Sequence, residues 1–222
     1  MRRIVIRDGA AVGVEYERRG RCYTVTARHE IVLSAGAYGT PKLLQVSGVG
    51  HLRSVGIVPV VDSPQVGHNL TDHPATFMNW ELALGFIGLA DARNPKCLLR
   101  WLFRRSGKLT SNRMEAVAHV RSAPGLAAPD FQLIHAPIYA RLDEINYPRP
   151  ALSILQSYWT PASRGSVLVS SPDARDAPAI QLNTLTVADD VAAFVRAIRR
   201  TSEIVSTEPL ASATAVAIQP GA

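Results

Sequence analysis

The chain has 222 residues, 47% of them hydrophobic, enough for one large domain or two small ones with a real core. No apolar run approaches the ~18 residues of a membrane-spanning helix, and the start MRRIVIRDGA lacks the apolar core of a signal peptide, so neither is expected. Net charge is +6 with a pI near 9.7, carried almost wholly by arginine, but the arginines fall in small scattered groups (Arg18–Arg19–Arg21, Arg100–Arg104–Arg105, Arg196–Arg199–Arg200) with no nucleic-acid motif beside them, so nucleic acid is not an expected partner.

The first 34 residues read as β. RIVIR ends at Asp8-Gly9, a strong hairpin signal. AVGVEYE alternates Val12, Val14 and Tyr16 on one face, and after a turn at RRGR the segment CYTVTA alternates Tyr23 and Val25, completing a three-stranded meander. EIVLSA places Ile31, Val32 and Leu33 in succession, as in a parallel strand covered on both faces. Thr40 as N-cap and Pro41 at the first helical position predict a short helix that Gly48 ends. The stretch from Gly36 to Gly50 is thus strand, glycine turn, one or two helical turns and a second glycine turn. Its glycines allow close backbone approach, and its helix start offers free N–H groups to an anion. A tightly packed βα turn without a ligand fits the same residues.

Ile57–Pro74 reads as an extended, turn-rich crossing, and NPKCLLRWLFRRSG as a helix ending near Gly107. Strands are predicted at Val117–Val120, Phe131–His135, Ser153–Tyr158, Ser166–Val169 and Ile180–Asn183, joined by proline-rich loops, which favours a mostly antiparallel sheet. The last element is a helix over DDVAAFVRAIRRTSEIVS. Val191, Phe194, Val195, Ile198 and Val205 share its apolar spacing, and Thr186 with Asp189 marks its start. Cys22 and Cys97 are too few and too distant for a disulfide framework or a metal cluster, and a reducing cytoplasm fits them. GxSxG, HExxH and phosphate-loop patterns do not occur, which leaves hydrolase, zincin and NTPase readings unsupported.

From Gly36 to Gly50 the sequence resembles the glucose–methanol–choline (GMC) oxidoreductases, flavoenzymes that oxidise alcohols. The family's second signature is met at Gly36, Ala37, Thr40, Pro41, Leu43, Leu44, Ser47, Gly48, Val49 and Gly50. The flanks agree in order. VGHNLTDHP resembles the family's Val-Gly-x-Asn-Leu-x-Asp-His segment, with Gln65 just before it where glycine is common. SGKLTSN resembles a Gly-Pro-Leu-Thr-Ser-Asn turn with Lys108 in place of the proline. PASRGSVLVSSPD resembles the Pro-x-Ser-Arg-Gly-x-Val strand entry, and AIQPGA a Glu-x-x-Pro-Gly stretch.

The resemblance implies an α+β fold: residues 1–62 as part of an FAD-binding domain (meander, parallel strand, short helix), and 63–222 as a mostly antiparallel substrate domain with flanking helices. It implies FAD as cofactor and a small-molecule alcohol as substrate. Backbone groups of Ser34, Ala35, Gly36 and Ala37 would lie beside the adenosine half. Asn69 and Asp72 would fix the loop near the flavin, or serve as plain turn residues, and His73 would order that loop. His135, Gln156 and Tyr158 would wall the substrate side, or be satisfied core polar groups. Neither the Gly-x-Gly-x-x-Gly fingerprint nor the family's His-Pro-x-Gly-Thr type segment with the catalytic histidine occurs in these residues. No catalytic residue is therefore assigned, no metal is expected, and the chain reads as the middle of a GMC enzyme. An inactive remnant or binding module, or one part of a split flavoenzyme completed by a complementing chain, are the alternatives. The expected location is cytoplasmic, or peripheral at the inner membrane if the electron acceptor is a quinone.

Overall fold

The computed structural model describes residues 1–50, 52, 55–86, 88, 89, 92, 94–140 and 147–219. In chain order its strands are β1 (Arg3–Arg7), β2 (Ala10–Arg18), β3 (Arg21–Thr26), β4 (His68–Leu70), β5 (Ala75–Leu82), β6 (Ala116–Val120), β7 (Phe131–Ala136), β8 (Ala151–Tyr158), β9 (Gly165–Leu168), β10 (Ala179–Gln181) and β11 (Thr214–Gln219). The helices are α1 (Gly36–Val46), α2 (Pro95–Arg104), α3 (Ala188–Val205) and α4 (Leu210–Ala213). The fold is α+β. Contacts divide it into a first unit, Met1–Asp72 with Ser163–Thr184, and a second, His73–Ala162 with Leu185–Ala222. The chain thus passes to the second unit at residue 72 rather than 62, and returns at Ser163 because β9 and β10 complete a sheet with β4.

In the first unit the meander forms as its alternation predicts, in the order β1-β2-β3. Both hairpins turn on two residues of positive φ, Asp8-Gly9 (50° and 76°) and Arg19-Gly20 (52° and 74°), the geometry that matches strand twist. Tyr16 and Tyr23 pair directly and stack with centroids 5.5 Å apart. The helix after the meander differs from expectation. It starts at Gly36, not after Thr40, and runs three turns with Pro41 inside it. Thr40 Oγ1 reaches back to accept the Ala35 N–H at 3.1 Å, so the threonine supports the helix start from within the helix. Residues 30–35 form no strand, and Val32 is 76% exposed. A parallel strand exists only by pairing, and no described segment pairs with this one.

Gly48 ends α1 region as predicted, at φ 89°. Its N–H donates to the Gln45 carbonyl, its own carbonyl accepts from Val60 at 2.7 Å, and a Cβ here would meet Val60 Cγ2 at 2.8 Å. The glycine therefore serves close packing of the chain after α1 against residues 58–61. Ser47 Oγ accepts the Ile4 N–H at 2.8 Å and donates to the Leu43 carbonyl, tying β1 to α1. Gln45, 2% exposed, ties α1 to β9: Nε2 donates to the Val167 carbonyl at 2.8 Å and Oε1 accepts from Val169 N–H at 3.0 Å.

The second unit is a five-stranded antiparallel sheet in the order β11-β5-β8-β7-β6. β5 and β11 were not foreseen from the sequence, although Thr76, Met78, Trp80 and Leu82 do alternate. One face of the sheet presents Met78, Trp80, Leu133, Leu152 and Ile154 to Val205, Ile198 and Ile204 of α3 and Leu210 of α4. Along the same face Phe131 stacks on Tyr158 at 4.7 Å, and both meet Phe194 of α3 edge-on. α3 forms over the expected span, but its buried stripe runs through Asp190, Ala193, Phe194, Ala197, Thr201 and Val205, whereas Val191 and Val195 of the expected apolar face are exposed; its N-cap is Val187 rather than Thr186, and Asp189 and Asp190 in the first turn favour the positive helix end. Asp190 is fully buried and accepts the Ala162 N–H at 2.8 Å. On the opposite face Asn79 and Ser153, both fully buried, hydrogen-bond each other, and Ser153 Oγ donates to the Ile138 carbonyl and accepts from Ala140 N–H. α2 begins at an Asn94 cap and ends at Arg105 in left-handed conformation, whose guanidinium lies 4.4 Å from the Trp101 ring centroid. The end of the AIQPGA motif, 220–222, lies outside the described residues.

Candidate functional site

In the first unit, Ser34, Ala35, Gly36 and Ala37 form the entry to α1, and all four are exposed. Gly36 has φ 80°, and a Cβ there would meet open space. No side chain caps the helix, so the first-turn N–H groups of Gly36, Ala37 and Tyr38 have no helical acceptor and point to where a ligand can approach. Open backbone donors next to a position without a side chain fit a polar, partly anionic part of a nucleotide.

The pairing of β4 with β9 builds a second feature in this unit. Asn69 sits in the left-handed region at φ 59°, and its Nδ2 donates to Gln65 Oε1 at 3.2 Å, so the residue does fasten its own turn. With His68, Arg164, Ser166 and Asn183, these two line an open polar cavity of about 370 Å³. Asn183, at φ 51°, donates from Nδ2 to the Arg164 carbonyl at 3.0 Å. Among the described residues the lining carries a guanidinium, an imidazole and amide groups and no carboxylate, a set suited to a carbonyl-rich or anionic group. Arg164, Ser166 and Asn183 entered no sequence-based site; the signal for Arg164 was the Ser-Arg-Gly entry to β9, and nothing local marked Asn183. Asp72 is exposed and closes the first unit, whereas His73 opens the second.

In the second unit the three candidate substrate-side residues lie on the core side of the sheet, the second of the two readings open to them. The pairings Phe131↔Tyr158, Leu133↔Gln156 and His135↔Ile154 put His135, Gln156 and Tyr158 on the sheet face that α3 covers. The physical reason is the strand period of two: residues in phase with Phe131, Leu133 and Ile154 must share their burial. The Tyr158 ring packs in the aromatic core. Gln156 is fully buried, its Nε2 meets Met78 Sδ at 2.6 Å, and its Oε1 has no hydrogen-bond partner. Burial holds the His135 imidazole below its ordinary pKa, against the opposing pull of Glu115. Tyr158 and Gln156 belong to the core, and His135 is half-buried on the same face.

The opposite face carries a different set, in phase with Ser157: Gln132 pairs with Ser157 and with His119, and Trp159 follows one period later. The Trp159 ring lies 4.7 Å from that of His119 and stacks on His73 at 6.0 Å, while Gln132 Nε2 lies 3.2 Å from His119 Nε2. Trp159 is 37% exposed, and both histidines are exposed. Flat aromatic and imidazole faces with an amide at the edge can wall a small organic molecule. Among the described residues no group of three or more metal-ligating side chains occurs, and no helix is long and apolar enough to cross a membrane.

Residues 1–75 match the N-terminal family model described as GMC oxidoreductase, and residues 161–222 match the C-terminal model of the same description. Among characterised sequences, the chain is similar to the oxygen-dependent choline dehydrogenase of Sinorhizobium fredii, 36% identical over 235 residues that make up 99% of this chain and 41% of the relative. It is similar to the enzyme of the same description from Rhizobium johnstonii at 36% identity, with the same shares of each chain. The chain thus spans about two fifths of the length of these relatives. Among solved structures, a formate oxidase superimposes with a TM-score of 0.85 at 25% identity, covering 99% of this chain and 45% of the other. A pyridoxine 4-oxidase from Mesorbium loti gives 0.81 at 25% identity, covering 100% and 41%. The Aspergillus oryzae formate oxidase has been solved as variants addressing FAD modification.

Proposed function

Because this chain belongs to the GMC oxidoreductase family, whose cofactor is FAD, we propose that it contributes a flavin-contacting turn and a substrate-facing sheet to an enzyme that oxidises an alcohol at its CH–OH carbon. The observation that carries the reading is the 36% identity to a choline dehydrogenase across 99% of the chain. In this reading the first unit is part of an FAD-binding domain and the second a substrate domain. When bound, FAD supplies the acceptor for the hydride that leaves the alcohol carbon. Backbone groups at Ser34, Ala35, Gly36 and Ala37, among them the open N–H groups of Gly36 and Ala37, would hold the polar groups on the adenosine side, and Asn69 and Asp72 would order the segment that leads to His73. Trp159, His119 and Gln132 wall the substrate on the open face of the sheet, in place of His135, Gln156 and Tyr158. No residue is assigned as the base. A complementing chain that carries the dinucleotide fingerprint would tighten the cofactor.

Titration of the isotopically labelled chain with FAD, followed by amide NMR, tests this reading even where affinity is weak. Shifts at Ser34–Ala37, reduced by Gly36→Val at an unchanged circular-dichroism spectrum, are expected. If FAD at millimolar excess leaves those amides unmoved, the flavin-contact reading fails.

A further inference from the structure

The arginine group on α3 finds no use in the flavin reading. Arg196, Arg199 and Arg200 lie on the exposed face of that helix, with Glu203 one turn further on. Ala193, Phe194, Ala197 and Val205 anchor the opposite face in the core, so the arginine-bearing side is held in a fixed orientation. The loop after β6 completes a cavity of about 580 Å³ that Arg121, Arg196, Arg199, Arg200 and Glu203 line. That loop is itself pinned: Ser122 donates from its N–H and its Oγ to the two carboxylate oxygens of Asp130 at 2.7 and 2.6 Å. The Asp130 carboxylate is thus engaged with Ser122, and Arg121 Nη2 donates to the Ala127 carbonyl at 3.2 Å.

Four arginines therefore line one open cavity, and among the described residues the one carboxylate that lines it is Glu203, which pairs with Arg200 at 2.9 Å. Like charges three and four residues apart on a helix repel, and an anion between them relieves the repulsion. Guanidinium forks match the oxygens of a phosphate two at a time, which a lysine ammonium does not do. The volume suits a small ligand.

We propose that this cavity binds a phosphate group through Arg121, Arg196, Arg199 and Arg200, carried either by a small phosphorylated molecule or by an anionic lipid headgroup. The inference is independent of the flavin reading. Isothermal titration of the chain with inorganic pyrophosphate, at ionic strength held constant with sodium chloride, tests it. Sedimentation with phosphatidylglycerol vesicles, against phosphatidylcholine vesicles, forms a second arm. Saturable pyrophosphate binding is expected, weakened about tenfold by Arg196→Gln or Arg199→Gln. Glu203→Gln is expected to strengthen it severalfold by releasing Arg200, and Arg18→Gln, on the meander, to leave it unchanged. Pyrophosphate binding without vesicle binding identifies a free phosphorylated ligand. Vesicle binding that pyrophosphate displaces identifies the headgroup. The substituted positions are exposed, and circular dichroism checks the fold of each variant. The proposal is overturned if pyrophosphate binds no better than chloride and the vesicles do not bind, if binding ignores the arginine substitutions, or if Glu203→Gln weakens it.

Discussion

Gly67→Ala should be among the most damaging single-methyl additions to the first unit. Gly67 has φ 88°, and a Cβ built on it would lie 2.3 Å from the Val167 carbonyl oxygen and 2.5 Å from Gln45 Nε2. The left-handed conformation alone costs a non-glycine residue about 1–2 kcal/mol. The clash cannot be relieved by a rotamer change, because one contact is backbone and the other is a side chain held by two hydrogen bonds. Displacing Gln45 leaves a buried amide and the Val167 carbonyl unsatisfied, at about 1–3 kcal/mol for each group. Moving β9 away instead breaks the 2.6 Å bond from Val167 N–H to the Gly67 carbonyl. A total loss of about 3–8 kcal/mol is expected from these terms. Hydrogen exchange at the Val167 and Val169 amides reads the loss within this unit, alongside urea unfolding. Gly36→Ala is the control: its φ is 80° but its surroundings are open, so about 1–2 kcal/mol is expected. Equal effects of the two substitutions would refute the claim that close approach, not conformation, sets the requirement at Gly67.

In the second unit Phe131→Ala should cost about 3–5 kcal/mol by opening a cavity between Tyr158 and Phe194, whereas Trp159→Ala, with its ring partly exposed, should cost much less; thermal denaturation separates them. Tyr158→Phe should leave substrate KM unchanged and Trp159→Ala should raise it wherever turnover is measured; the reverse result would restore Tyr158 to the substrate wall. His135 has its folded pKa lowered by burial, so its contribution to stability is present above the unfolded value of 6.5 and is lost as pH falls through the folded value. Melting at falling pH below 6.5 should show a decline that His135→Leu reduces, and an unchanged slope would argue against this assignment.

The five-stranded sheet of the second unit divides its two faces by chemistry. One is committed to α3 through large apolar and aromatic side chains. The other mixes the buried Asn79–Ser153 pair with the open group at Trp159. The proposed substrate wall takes the Trp159 group on this second face, where the exposed polar side chains need no partner within the core.

Much of this was legible in the amino-acid sequence. Asp8-Gly9 dictates a hairpin because few other residue pairs accept positive φ twice in succession, and the period of α3 dictates an amphipathic helix, since both are local requirements. The run from Gly36 to Gly50 carried the family by itself. Tertiary structure decided the rest. Glu30–Ala35 has the residues of a buried strand but no ladder, because a strand is defined by its neighbours and not by its own composition. α1 starts at Gly36 rather than at the Thr40–Pro41 signal, because Thr40 supports the turn from inside. Asn183 and Asn69 meet at one cavity only through the pairing of β9 with its neighbours, across more than a hundred residues of chain. The substrate-wall and core readings of His135, Gln156 and Tyr158 differ only in the face of β7 and β8 that these residues occupy. Which face they occupy depends on the register of those strands and on where α3 lies, and long-range packing alone sets both.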